Sequence, residues 1–240
     1  MKRILILVFT LTVTLSMFNC KKGDNDPFIS LLSRKARLAG TWKVDSYEKL
    51  ASNVDGDEKI EVEEVFNGLT VFKVTTTVDE GTTSIVEDPD DVTISDYNFV
   101  IEKDGNWSSS LTRLTVSEIY IADDTLIINT KEQFEMTGTW SFIGKNKGNY
   151  KNKERVQFSV LNHTSTSDFE GGDREIVVRE FNQNEFVLLY DIDRLKNKEM
   201  VWKLDAHSTL NITNIDGMTG LTGEYDGGTI SYTEEIKLVQ

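Results

Sequence analysis

"YNFVIEKDGNWSS", residues 97 to 109, decides the fold class. Tyr97, Phe99 and Ile101 alternate with Asn98, Val100 and Glu102, and the run is rich in β-branched and aromatic side chains. That period of two is the period of a strand. Asp104-Gly105 then interrupts the pattern, and Trp107 resumes it. An Asp-Gly pair favours a tight turn whose twist suits two paired strands. The stretch predicts an antiparallel hairpin.

The same pattern extends in both directions. "TWKVDSYEKL" (41–50) alternates, and "EVFNGLTVFKVT" (64–75) follows with Gly68 as a bulge or bend. "SEIYIADDTLIINT" (117–130) predicts a second hairpin turning near Asp123-Asp124. "FEMTGTWSFIG" and "ERVQFSVL" flank a polar loop. "REIVVREFNQNEFVLLYDID" (174–193) predicts a third hairpin about Asn182-Gln183-Asn184, and "EMVWKLD" and "EEIKLVQ" complete the series. Within the third, "FVLLYDI" (186–192) is apolar on both faces, which implies cover on both sides. Parallel folds need interleaved helices, and none is visible. The expected fold is all-β, an antiparallel meander closing into a barrel. One short helix precedes it, with Asp26 as cap, Pro27 in its first turn, Phe28, Leu31, Leu32 and Leu38 on one face, and Gly40 at its end.

The chain divides into residues 1–19, a signal peptide; 20–26, a polar tether; and 27–240, a single domain. Lys2 and Arg3 precede an uncharged apolar run, Ile4 to Phe18, which is too short to span a bilayer and has the length of a signal h-region. Cys20, the only cysteine, stands where that run ends. It has no disulfide partner, and one thiol does not make a zinc site. The segment resembles a lipoprotein signal, which implies that Cys20 is the point of lipid attachment. The implied address is the cell outer membrane, on either its periplasmic or its outer face.

Gly40-Thr41-Trp42, behind a capped helix and ahead of an alternating strand, resembles the G-x-W signature of lipocalins. "DPFISLLSRKARLAGTWKV" is similar to the start of lipocalin-like lipoproteins of Gram-negative bacteria. The resemblance implies that Trp42 closes one end of the barrel under a stacked arginine, for which Arg113, Arg179 and Arg194 are candidates. A second Gly-Thr-Trp at 138–140 admits an internal duplication, or simply another strand where glycine relieves a bend.

Composition narrows the function. The 240 residues carry a formal charge of −14. Loss of Lys2 and Arg3 takes it to about −16, which disfavours nucleic acid and anionic headgroups as partners. No cofactor or metal motif stands out. Asp205 and His207 share a strand face and could join Asp191 or Asp193 in a metal or acid–base site, but a solvated strand end running into a loop is the favoured reading. His163 lies among serine and aspartate without a nucleophile-elbow motif. The acidic runs at 55–64 and 87–91 lack EF-hand spacing. The basic run at 144–155 could meet an anionic ligand or simply form a hairpin tip, and the glycines of 216–228 follow no phosphate-loop pattern. Asp124-Thr125-Leu126 resembles an O-glycosylation acceptor of exported proteins. The resulting expectation is a non-catalytic, lipid-anchored barrel. It would bind a small apolar or amphiphilic ligand against Phe186, Leu188 and Tyr190. The alternative is a filled barrel acting as an assembly or adhesion subunit of a cell-envelope complex.

Overall fold

A computed structural model describes residues 33–79, 81–87, 91–121, 124–143, 155–172, 174–208 and 229–240. Among these residues one short helix, α1 (Arg34–Leu38), precedes twelve strands. These are β1 (Gly40–Asp55), β2 (Glu58–Phe66), β3 (Thr70–Asp79), β4 (Thr82–Glu87), β5 (Asp91–Ile101) and β6 (Asn106–Ile121). They continue with β7 (Asp124–Ile143), β8 (Arg155–Phe169), β9 (Arg174–Glu180), β10 (Phe186–Leu195), β11 (Glu199–Ser208) and β12 (Thr229–Val239). All pairings are antiparallel.

The strands close into a ten-stranded meander barrel, because β10 pairs back onto β8. Two further strands sit off this ring. β4 pairs only with β3, and β9 only with β8, among the described residues. Near α1 the ring tightens. Gly40–Lys43 of β1 pairs directly with Asn98–Ile101 of β5, below the β2–β3 hairpin. At the far end, the rim, among the described residues β6 beyond Val116 pairs only with β7, and β11 beyond Lys203 only with β12.

The opening hairpin is present with a longer turn than Asp104-Gly105 alone predicts. The Glu102 N–H donates to the Asn106 carbonyl, and the Gly105 N–H to the Glu102 carbonyl. Gly105 has φ 108°, so Lys103-Asp104-Gly105 form a three-residue loop of the turn-plus-bulge kind. Gly68 is a hairpin turn rather than a bulge. It has φ 96°, and Asn67 Oδ1 accepts the N–H groups of Leu69 and Thr70. The third expected hairpin does not form. β9 and β10 both run antiparallel to β8, one after the other, and Asn182-Gln183-Asn184 carries the chain between them. A turn-rich linker between two apolar runs reads the same whether the chain reverses or continues.

The helix is one turn and a half, capped by the Ser33 hydroxyl on the Ala36 N–H. Residues 26–32, where the sequence places its start, lie outside the described residues, as do Cys20 and the whole segment 1–25. α1 lies across the narrow end. Arg37 donates to the Leu195 carbonyl at the end of β10, and the Lys35 ammonium stands 5.6 Å from the Trp140 ring on β7.

The core fills this end. Trp202 sits 5.2 Å from each of Phe99, Phe158 and Tyr190, and Phe158 lies 5.0 Å from Trp107. Leu38, Trp42, Val44, Ile192, Met200, Ile236 and Leu238 are buried around them. Edge-to-face and tilted contacts of this kind add to the area each ring buries.

Candidate functional site: a charged layer inside the barrel

Above the aromatic floor the interior changes character. Lys49 on β1 stands directly opposite Glu234 on β12 and Glu64 on β2, and Glu64 stands opposite Lys73 on β3. Directly paired residues of an antiparallel ladder share a face. Glu234, Lys49, Glu64 and Lys73 therefore form one inward row of alternating charge across four neighbouring strands. Arg113 reaches the row from β6, with Nη2 3.5 Å from Glu64 Oε2.

The row is tightly connected. Lys49 Nζ lies 3.4 Å from Glu64 Oε1 and 3.9 Å from Glu234 Oε1. It also sits 4.2 Å above the Tyr47 ring, a favourable place for a cation. Tyr47 donates its hydroxyl to Glu64 Oε1 at 2.5 Å, and Tyr190 donates to Glu234 Oε2 at 3.1 Å. Tyr190 thus joins the aromatic floor to the charged layer. Lys49, Glu64 and Glu234 are all buried.

The two carboxylates behave differently. Burial pushes Glu64 up, but Lys49 and Arg113, with the Tyr47 hydroxyl, outweigh it and hold Glu64 at about 2. Glu234 is raised above its usual range, chiefly by burial. Lys49 and Tyr190 offset this only in part, and the Glu64 charge adds to it. Burial likewise drives the Tyr47, Tyr97, Tyr190 and Tyr232 phenols upward, so all four remain neutral donors. The layer combines cations and hydroxyl donors with one firmly ionised carboxylate, and Glu132 on β7 stands opposite Arg113. Such an arrangement is suited to receiving a polar group.

The residues singled out in the sequence fall as follows. Trp42 is fully buried at the narrow end, and its indole donates to the Leu38 carbonyl at 2.8 Å. Gly40 opens β1 with a positive φ. Of the arginines expected over Trp42, Arg113 belongs to the charged layer, and Arg194 pairs with Glu199 at 2.5 Å near the surface. Arg179 faces His163 across β9 and β8. The arginines buried at the narrow end are Arg34 and Arg37. Phe186 and Leu188 share the inward face with Tyr190 and pack against the core. Leu189 is 40% exposed on the opposite face, so that face of β10 is uncovered, contrary to the expectation from its apolar composition.

His163 points inward and lies parallel to the Phe134 ring. Burial and then the Arg179 charge lower its pKa, and Nε2 has no partner among the described residues. Asp191 pairs with Arg155, and Asp193 with Lys203. The side chains of Asp205 and His207 lie outside the described residues, and so do 88–90, 144–154 and 216–228. Among the described residues no three His, Cys, Asp or Glu side chains gather as metal ligands. Thr125 is exposed at the β6–β7 tip.

The second Gly-Thr-Trp has its own cause. A Cβ on Gly138 would run into the Ser159 backbone carbonyl, where β8 bulges toward β7. The Trp140 indole donates to the Glu102 carbonyl at 2.8 Å. β1 runs away from the narrow end through Trp42, whereas β7 runs toward it through Trp140. The two motifs therefore differ in strand direction, and bend relief accounts for the second.

Of the five charged residues of the layer, only Arg113 was singled out by the sequence, and for a different place, over Trp42. Glu234 carries the plainest signal, because it shares the parity of Tyr232, Ile236 and Leu238 in an alternating strand. Comparison with protein-family models, with curated proteins and with solved structures finds no match to this chain.

Proposed function

We propose that the protein is a lipocalin-like, outer-membrane lipoprotein, held by lipid on Cys20, that binds a small amphiphile inside its barrel and catalyses no reaction. The observation that carries this reading is the interior row Glu234–Lys49–Glu64–Lys73 with Arg113 and the tyrosine hydroxyls. Buried ions cost several kcal/mol each in lost hydration, about what a domain can spare. A barrel that only needed a core would be filled as the narrow end is. The floor of aromatic rings is already packed, so the ligand's polar head meets the charged layer. Its apolar part lies along Leu111, Phe134, Met136, Phe186 and Leu188.

The test is binding of a fluorescent fatty acid to the full chain in mild detergent, with and without Leu188→Asp. Saturable binding that Leu188→Asp abolishes and the outward Leu189→Asp leaves intact is the expected result. No saturable binding, or equal loss from both variants, overturns the reading. The anchor is tested separately. Cys20→Ala moves the protein from membrane to soluble fraction, and a variant that still resists carbonate washing refutes lipid attachment. The assembly or adhesion role draws its support from the packed narrow end together with apolar residues exposed near the rim, Ile85, Val86 and Ile176 among them. It becomes the better reading if no ligand binds.

A further inference from the structure

The exposed strand β9 reads Arg174-Glu175-Ile176-Val177-Val178-Arg179-Glu180. Among the described residues it pairs with β8 alone, so its other backbone edge carries no strand. Both faces are open. Ile176 and Val178 on one side are 56% and 61% exposed, and Val177 on the other is 37% exposed. Proteins often guard such an edge with charged side chains, proline, a bulge or a covering loop. β9 carries charges at both ends but no proline, and no bulge breaks its pairing with β8. Its four charges sum to zero within a strongly acidic chain.

The order of those charges is self-complementary. Laid antiparallel to a second copy of itself about Val177, the strand sets Arg174 opposite Glu180 and Glu175 opposite Arg179. Ile176 then faces Val178, and Val177 faces Val177. Each pair shares a face, as an antiparallel ladder requires. A slip of one residue brings Arg174 against Arg179, or Glu175 against Glu180. A slip of two leaves the charges facing Ile or Val. The other free strand, β4 (Thr-Thr-Ser-Ile-Val-Glu), has a single charge and no such register.

We propose that β9 is a self-pairing edge through which two copies of this chain join, antiparallel and centred on Val177, as an isologous two-fold dimer. The joint runs β8–β9 of one copy into β9–β8 of the other and completes the backbone hydrogen bonds of both edges. Seven residues a side bury less than the roughly 1,600 Å² of a standard stable interface. The dimer therefore depends on concentration, and tethering both copies to one surface would favour it.

The full chain in detergent, followed by light scattering or sedimentation over a wide concentration range, should pass from one to two protein masses per particle. Arg179→Glu alone should weaken association at least tenfold, and Glu175→Arg with Arg179→Glu should restore it to within about threefold, both at unchanged melting temperature. In a Cys20→Ala background, Val177→Cys should cross-link to itself on mild oxidation. Glu175→Cys should cross-link only when mixed with Arg179→Cys. A monomer at every concentration, a charge swap that fails to restore, or Val177→Cys that fails to cross-link overturns the proposal. A monomer whose β9 instead captures a foreign extended peptide overturns it equally, and assigns the edge to another protein.

Discussion

β1 passes through both halves of the barrel and shows how differently they are built. At its start Trp42 and Val44 have no exposed surface, while further along Leu50 and Val54 are 42% and 41% exposed on the outer face and Lys49 is buried within. The narrow end is made of interlocking rings and aliphatics under a helix. The rest keeps ions inside and leaves apolar side chains outside. Packed apolar volume stabilises wherever it occurs, whereas a buried ion stabilises only while its partners hold it. The two halves should therefore respond to different insults, and the difference can be broken in a graded way.

The largest effect is expected at the narrow end. Trp42→Ala removes a fully buried indole and its bond to the Leu38 carbonyl, and should cost about 3–5 kcal/mol. Chemical denaturation at neutral pH measures it. A loss below 1 kcal/mol would mean that the narrow end does not carry the fold.

This division was only half visible in the sequence, for a local reason. Trp42 and Val44 point inward with even parity, but the pairing of β1 with β12 shifts between Val44 and Ser46. Beyond that bulge Tyr47, Lys49 and Ala51 are the inward residues. Strict alternation from Trp42 places Lys49 outside and Leu50 inside, the reverse of what occurs. β5 shifts likewise between Ile94 and Asp96, and β10 between Ile192 and Arg194. A bulge leaves no unique mark in composition, so the strands were legible and their inner faces were not. β12 has even residues inward from Tyr232 to Leu238, and there the parity of Glu234 was readable. The β10 face of Phe186, Leu188 and Tyr190 was also readable as an alternating set, though not which of its two faces lay inside. The turn at 182–184 was legible as a break and not as a continuation, because chain reversal depends on which strand β10 pairs with.

An intermediate effect is expected in the charged layer, and it depends on pH. Glu64→Gln keeps the volume but removes the anion that Lys49, Arg113 and Tyr47 surround, and should cost about 1.5–3 kcal/mol at neutral pH. Glu64 is lowered in the fold from 4.5 to about 2. Its contribution is therefore complete above pH 4.5 and is lost as pH falls from there toward 2. The sign is opposite for Glu234, whose folded value is raised. Its ionisation weighs against the fold above that raised value, and protonation removes the penalty as pH falls into the carboxylate range. Subtracting each variant's stability from that of the parent cancels the many other carboxylates. The Glu64→Gln difference should shrink between pH 4.5 and 2, and the Glu234→Gln difference should change at higher pH and in the opposite direction. Two differences that move together would show that the carboxylates share one environment.

The smallest effect is expected at the rim, on β4. Ile85 is 67% exposed on a strand that, among the described residues, pairs only with β3, and every side chain described on that strand is exposed. An apolar residue that gains little burial on folding gives up little when it is replaced. Ile85→Thr also keeps the β-branched shape that suits a strand. The expected change lies within about 0.5 kcal/mol, as for other surface sites without special contacts. The same substitution in the narrow end, at the fully buried Ile236, would remove buried apolar volume and place a hydroxyl there. Measuring both in one denaturation series isolates position from chemistry. A loss above 1 kcal/mol for Ile85→Thr would mean that β4 is covered in the folded protein, and the contrast between the two halves would then hold for the interior alone.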